Sequence, residues 1–290
     1  MLRISFVAAV ALATLWQAHS KRTIGGDPSV SPDGSRIVFT SDRSGRSQLY
    51  VMNADGSSVH QLTADPAGAY SGRWSPDGTL ILYCSKGATS EQIVVIRPDG
   101  QGRRVVIETR NAQSPSWWPR GGKILFTAGA FPNLHMQTID LDGTNRRAVI
   151  PDSGFNYDAA SSPDGGTIAF VRGIPHQGVR VYLMNADGSN QRRLTSGLDN
   201  EERPAWSPNG RSLAFQSSTR GADSTQAFIN VVDVLDGTSR RLGTHSKIQL
   251  DETPSWFPDG KRLAIQSDRD GDWSVYVIDT AGTLAARLTR

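Results

Sequence analysis

Counting back from a proline that recurs six times in this chain, the residues six positions ahead are Gly26, Tyr70, Gln113, Tyr157, Glu202 and Glu252. Those five positions ahead are Asp27, Ser71, Ser114, Asp158, Arg203 and Thr253. Carboxylates paired as Glu202 with Glu252, or Asp27 with Asp158, are the groups a carbohydrate-cleaving site needs, one as acid and one as base or nucleophile. The same carboxylates beside two tyrosines and an arginine equally suit a polar mouth that grips a partner without reacting with it. Spacing along a sequence gives no separation between the acids, so both chemistries stay open, and the alternative to a partner-binding mouth is a carbohydrate-binding or carbohydrate-cleaving one that uses these carboxylates. We take the binding reading first. Asp27, Tyr70, Gln113, Tyr157, Asp158, Glu202, Arg203 and Glu252 are the candidate partner- or ligand-binding residues, and no catalytic residue is assigned.

Other reactive side chains offer less. Outside the first 20 residues the histidines are His60, His135, His176 and His245, with no metal-ligand spacing. The alternating acids of Asp268-Arg269-Asp270-Gly271-Asp272 lack the further glutamate of a calcium loop and read as a hairpin turn. No metal and no cofactor is expected. Cys84, the single cysteine, lies in the apolar run Leu80 to Cys84 and reads as a buried thiol. No Gly-x-Ser-x-Gly elbow is present, which removes that route to hydrolysis.

What must position these residues is a repeat. Ser75-Pro76-Asp77-Gly78 is echoed at Ser31 to Gly34, Trp118 to Gly121, Ser162 to Gly165, Ser207 to Gly210 and Phe257 to Gly260. Proline presets the φ of a turn's second position, Asp tolerates the third, and Gly accepts the left-handed conformation that closes the hairpin. A second turn follows in each copy, as in Asn53-Ala54-Asp55-Gly56 and Asn185-Ala186-Asp187-Gly188. Between the two turns run strands apolar on both faces, for example Ile37-Val38-Phe39 and Ile81-Leu82-Tyr83, as required of sheets packed between neighbouring sheets. Two hairpins per copy, at steps of about 43 to 50 residues, match four-stranded propeller blades. The expected fold is an all-β, six-bladed propeller of four-stranded antiparallel blades, with blades near 24–63, 64–107, 108–150, 151–195, 196–244 and 245–290.

A Pro-x-Trp element before the first turn, then Ser-Pro-Asp-Gly, an apolar strand and Tyr-Val-Met-Asn-Ala-Asp-Gly, resembles the repeat of the TolB-like six-bladed propellers, also called WD40-like or PD40 repeats. The resemblance covers about residues 24 to 290 and implies a scaffold that binds protein partners in the cell envelope. TolB itself carries an α/β domain ahead of its propeller, for which few residues remain here. Any role of that domain is not carried over.

Residues 1 to 20 read as a secretory signal: Arg3 precedes the apolar run Ile4 to Trp16, followed by Ala18-His19-Ser20. Residues 21 to 290 would then be the propeller, periplasmic or secreted and monomeric. The formal charge of +3, or +2 without Arg3, is too small to imply nucleic acid. The expected partner is a protein or a peptidoglycan-associated component.

The meander places both tight turns of every blade on one face of the disc, and the longer, varied loops with the starts of the inner strands on the other. Function is expected at that loop face. Ring closure is expected from apolar packing of the last blade on the first. Arginine pairs at 103–104, 146–147, 192–193 and 240–241 open four outermost strands and read as protection of exposed edges.

Overall fold

The computed structural model describes residues 23–87, 90–130, 133–150, 154–197, 199–220, 225–243 and 249–290. The expected leader at 1–20 and His245 lie outside them. The described chain is all-β, in six sheets of four antiparallel strands each. Blade 1 holds β1 (Gly26–Val30), β2 (Arg36–Ser41), β3 (Gln48–Asn53) and β4 (His60–Gln61), and blade 2 holds β5 (Ala69–Trp74), β6 (Ile81–Lys86), β7 (Glu91–Ile96) and β8 (Arg104–Thr109). Blade 3 is β9 (Gln113–Trp117), β10 (Lys123–Ala130), β11 (Asn133–Asp140) and β12 (Arg147–Ala148), and blade 4 is β13 (Asn156–Ser161), β14 (Thr167–Ile174), β15 (Gly178–Asn185) and β16 (Arg192–Arg193). Blade 5 is β17 (Asn200–Trp206), β18 (Ser212–Arg220), β19 (Thr225–Asp233) and β20 (Ser239–Arg241), and blade 6 is β21 (Asp251–Trp256), β22 (Arg262–Ser267), β23 (Ser274–Asp279) and β24 (Leu284–Arg287). Among the described residues no helix is long and apolar enough to cross a membrane.

The turn chemistry behaves as its residue types require. In the first turn of blade 1 the Gly34 amide donates to the Ser31 carbonyl at 2.8 Å, and Gly34 has φ +74°. Asp33 accepts from Ser31 Oγ at 2.5 Å and from the Ser35 amide at 3.0 Å, which pulls its carboxyl down to about 2. The backbone bond recurs in all six turns and side-chain bonds to the third turn residue in all but the third copy, where Arg120 stands in its place, so each turn is a local unit that reverses a strand.

The core lies between blades. Phe39, Tyr50 and Met52 of blade 1 pack with Phe257, Val275 and Val277 of blade 6, and Leu49 and Val51 with Trp74, Tyr83 and Val94 of blade 2. Similar clusters fill the other seams. This explains the apolar residues on both strand faces.

Closure follows the packing expectation, with one addition. Among the described residues no strand ahead of β1 joins the last sheet. Thr23 makes a single parallel bridge to Trp273, and the Gly25 amide donates to the Trp273 carbonyl at 2.9 Å. Residues 23–25 are therefore clasped to blade 6 through one bridge and one backbone hydrogen bond, without forming a strand there.

Candidate functional site

Each inner strand is interrupted. The register slips between Gly26 and Ser29, Tyr70 and Arg73, Tyr157 and Ala160, Glu202 and Ala205, and Glu252 and Ser255, and a slip also falls along β9. At the slip stand Asp27, Ser71, Ser114, Asp158, Arg203 and Thr253, all left-handed with φ between +47° and +56°. A bulge of this kind bends its strand and re-aims the side chain it carries. Held six times around one axis, it builds a ring.

Side chains of the ring join across blades. Arg73 Nη2 donates to Asp27 Oδ1 at 2.7 Å. Asp158 accepts from the Ser114 hydroxyl and, at 3.3 Å, from the Arg203 amide, with Arg203 Nε 3.6 Å away. Just behind, Tyr157 donates to Glu202 Oε1 at 2.8 Å, and Gln266 Nε2 donates to Glu252 Oε2 at 2.8 Å.

The electrostatics follow from depth and company. Burial works to raise the Asp27 carboxyl, but Arg73 and Arg203 together outweigh it and leave it below its ordinary value. Burial works against the Arg203 charge, yet Asp158, Asp27, Glu202 and Glu252 raise its pKa further still. Tyr157 is pushed well above a normal phenol, first by burial and then by the Glu202 and Asp158 charges. Glu252 is raised to about 7 because burial exceeds the pull of Arg203 and of its bond to Gln266.

This ring floors a cavity of about 590 Å³, walled by the inner strands and rimmed by Pro32, Pro76, Pro119, Pro163, Pro208 and Pro258. Five of these prolines are exposed and Pro119 is half-buried, so the cavity is a funnel that opens on the tight-turn face. Trp74, Trp117, Trp206 and Trp256 give it aromatic walls. Asp27, Asp158 and Arg203 of the expected site lie in the funnel, while Tyr70, Gln113, Tyr157, Glu202 and Glu252 do not line it. The charged ring thus separates two sets of residues that spacing alone grouped together.

Arg73 is the functional candidate that sequence reasoning missed. Its counterparts in the other blades are Ser29, Ser116, Ala160, Ala205 and Ser255, so a charge among small residues was the available signal. Gln266 lies on a second strand and carried none. Cys84 is buried with its thiol pushed up to about 12 by burial, and no cluster of three metal-ligating side chains occurs among the described residues.

The same tryptophans fasten blades together. Trp117 Nε1 donates to the Arg73 carbonyl at 3.0 Å, Trp206 to Ala160 at 3.0 Å and Trp256 to Ala205 at 3.1 Å. Trp74 has its Nε1 buried with no hydrogen-bond partner, and Val30 and Ser161 replace tryptophan in the remaining blades. At the rim, arginines reach the next blade's second turn: Arg104 to the Leu141 carbonyl at 2.8 Å, Arg192 to Val234 at 3.0 Å and Arg240 to Thr280 at 2.5 Å. Among the described residues both staples therefore fall on the same three seams, 2–3, 4–5 and 5–6. Other rim arginines are also engaged within the chain, Arg103 with Asp65 at 2.9 Å and Arg241 over the Phe228 ring at 3.6 Å.

Comparison with known proteins agrees with this architecture. A 79-residue stretch is 40% identical to an uncharacterized peptidase, YuxL, of Bacillus subtilis, covering 27% of this chain and 12% of that protein. The matched part is thus about an eighth of that curated relative. Among solved structures, TolB from Acinetobacter baumannii superposes with a TM-score of 0.74 at 22% identity, over 98% of this chain and 70% of that one. An oligogalacturonate lyase from Vibrio parahaemolyticus superposes with a TM-score of 0.58 at 15% identity, over 89% of each chain. At these identities the structural likenesses show the fold alone. Residues 5–160, more than half of the sequence, match the TolB beta propeller domain, and the chain belongs to that family.

Proposed function

We propose that this protein is an exported, non-catalytic propeller scaffold that binds a protein or peptidoglycan-associated partner of the cell envelope, acting as a periplasmic or secreted monomer. The observation that carries this reading is the funnel: four tryptophans and ten prolines form rigid, mostly apolar walls above a floor of paired charges. Preformed apolar walls with a few fixed polar groups suit a polypeptide segment of a partner, because little ordering cost remains to be met on binding. Family membership supports it, since TolB is among the proteins this chain resembles. The loop-face residues Tyr70, Gln113, Tyr157, Glu202 and Glu252 back the floor and complete the proposed site.

The test is capture from an envelope extract with the intact protein and with Arg203→Ala or Asp158→Asn, each checked for folding by circular dichroism. Retention of one partner by the wild type and its loss with the floor variants is the expected result. Equal retention by all three rules out the floor.

A second reading, a carbohydrate-cleaving propeller, is favoured by one observation: Glu252 is held at about 7, where a carboxyl can exchange a proton at neutral pH. Under that reading Glu252 and Glu202 would share acid and base roles. Product release from polygalacturonate or peptidoglycan glycan, lost in Glu252→Gln, would establish it in place of the scaffold.

A further inference from the structure

The seam that closes the ring, between blades 6 and 1, carries neither a tryptophan staple nor an arginine staple: Val30 and Ala286 stand where those residues would be. Its inner part is joined by the amide of Gln266, whose Oε1 accepts from the Asp27 backbone amide at 2.8 Å. A backbone N–H can only donate, which fixes the orientation of this amide and turns its nitrogen toward Glu252, 2.8 Å away. One side-chain amide thus connects the ring-closing backbone to a carboxyl in the last blade.

Charges on several elements act on the Glu252 carboxyl: Arg203 and Glu202 on β17, and Asp268 just past β22 in its own blade. Asp27 reaches the same cluster from β1 through Arg203. Burial outweighs Arg203 and holds the carboxyl at about 7, so it is part neutral and part charged at ordinary pH. Arg203 is loosely tethered. Its Nε lies 3.6 Å from Asp158, beyond a direct hydrogen bond, and its charge is shared among four carboxylates.

We propose that Glu252 and Gln266 form a proton-operated latch at the closing seam, which sets where Arg203 stands in the floor of the funnel. With Glu252 neutral, Arg203 leans on Asp158. With Glu252 ionised, the new charge draws the Arg203 guanidinium toward blade 6, leaving Asp158 to Ser114 and the Arg203 backbone amide and changing which charge stands exposed in the floor. A partner entering the funnel then meets two different floors on the two sides of neutrality. That last consequence rests on the protein-binding reading, whereas the latch does not.

Because the folded carboxyl sits above its ordinary value of 4.5, its neutral form is the one the fold favours. The stability it contributes is complete below the unfolded value and is lost as pH rises through about 7.

The test is an NMR titration of the full chain with labelled glutamate carboxyls and arginine Nε groups, from roughly pH 5 to 9. One glutamate carboxyl should titrate near neutrality and vanish in Glu252→Gln. The Arg203 Nε–H signal should move with the same midpoint in the wild type and stay still in that variant, and Gln266→Leu should uncouple the Asp27 amide from the titration. No glutamate titrating above about pH 5.5, or an Arg203 signal that ignores a titrating Glu252, overturns the latch. The wild-type titration needs no substitution, so a misfolded variant does not shelter the idea. A working latch with pH-independent capture would instead count against the protein-binding reading.

Discussion

Seams 5–6 and 6–1 are neighbours in one repeat, yet they are fastened differently. The first has Trp256 on the Ala205 carbonyl at 3.1 Å and Arg240 on the Thr280 carbonyl at 2.5 Å, in addition to its apolar cluster. The second has no such staple. It relies on a larger apolar cluster around Phe257 and on polar contacts near the axis, including the Val30 amide to Ser255 Oγ at 3.1 Å. The other two unstapled seams show the same exchange, with Asp27 and Arg73 joining blades 1 and 2, and Ser114 and Asp158 joining blades 3 and 4. Where the staples are missing the ring residues hold the seam, and at seam 4–5, where Asp158 and Arg203 meet, they add to the staples. Those residues are also the floor of the proposed site.

The largest effect should come from emptying the closing seam. Phe257 is fully buried between blades 6 and 1, and Phe257→Ala should cost about 3 to 5 kcal/mol, measured by denaturant unfolding. A loss under about 1 kcal/mol would mean that closure does not depend on this packing.

Two matched substitutions compare staples directly. Trp256→Phe removes a donor from a made bond and should cost about 1 to 2 kcal/mol beyond lost contacts. Trp74→Phe removes a buried donor that has no partner, so its polar contribution should be near zero or favourable. Equal losses would show that the indole bonds are incidental and that ring volume alone matters.

Smaller shifts are expected at the rim. Arg240→Ala should lower stability by about 0.5 to 1 kcal/mol, and Ala286→Arg, which offers the closing seam the side chain it lacks, should raise it by a similar amount. Thermal unfolding of the two variants with the wild type would check both directions. If Ala286→Arg is neutral, the closing seam cannot use such a clamp.

Much of the fold could be read from the chain because turn chemistry is local. Proline, aspartate and glycine at fixed offsets state where strands reverse, and apolar residues such as Ile37, Val38 and Phe39 in succession state that both faces are covered. The site was legible only in part. Offsets from the turn proline found Asp27, Asp158 and Arg203, but the same count, one position further back, placed Tyr157 and Glu202 with them at one mouth. The bulge separates the two positions, and nothing in Asp27, Ser71 or Arg203 as residue types announces a left-handed backbone. The arginine pairs looked like edge protection for the same reason: Arg104 and Arg192 reach carbonyls 37 and 42 residues away, which local pattern does not reveal.

The six bulges also make the inner strand two short segments instead of one. Its turn-side half must keep the small residues and tryptophans that meet the neighbouring blade, while its loop-side half is released from that register at Asp27, Ser71, Ser114, Asp158, Arg203 and Thr253. Substitutions on one side need not propagate to the other. Loop-side residues such as Tyr70 and Gln113 can therefore change one blade at a time while the tryptophan fasteners stay fixed, whereas Asp27, Asp158 and Arg203 at the bulge serve seam and funnel floor at once and cannot change for one without the other.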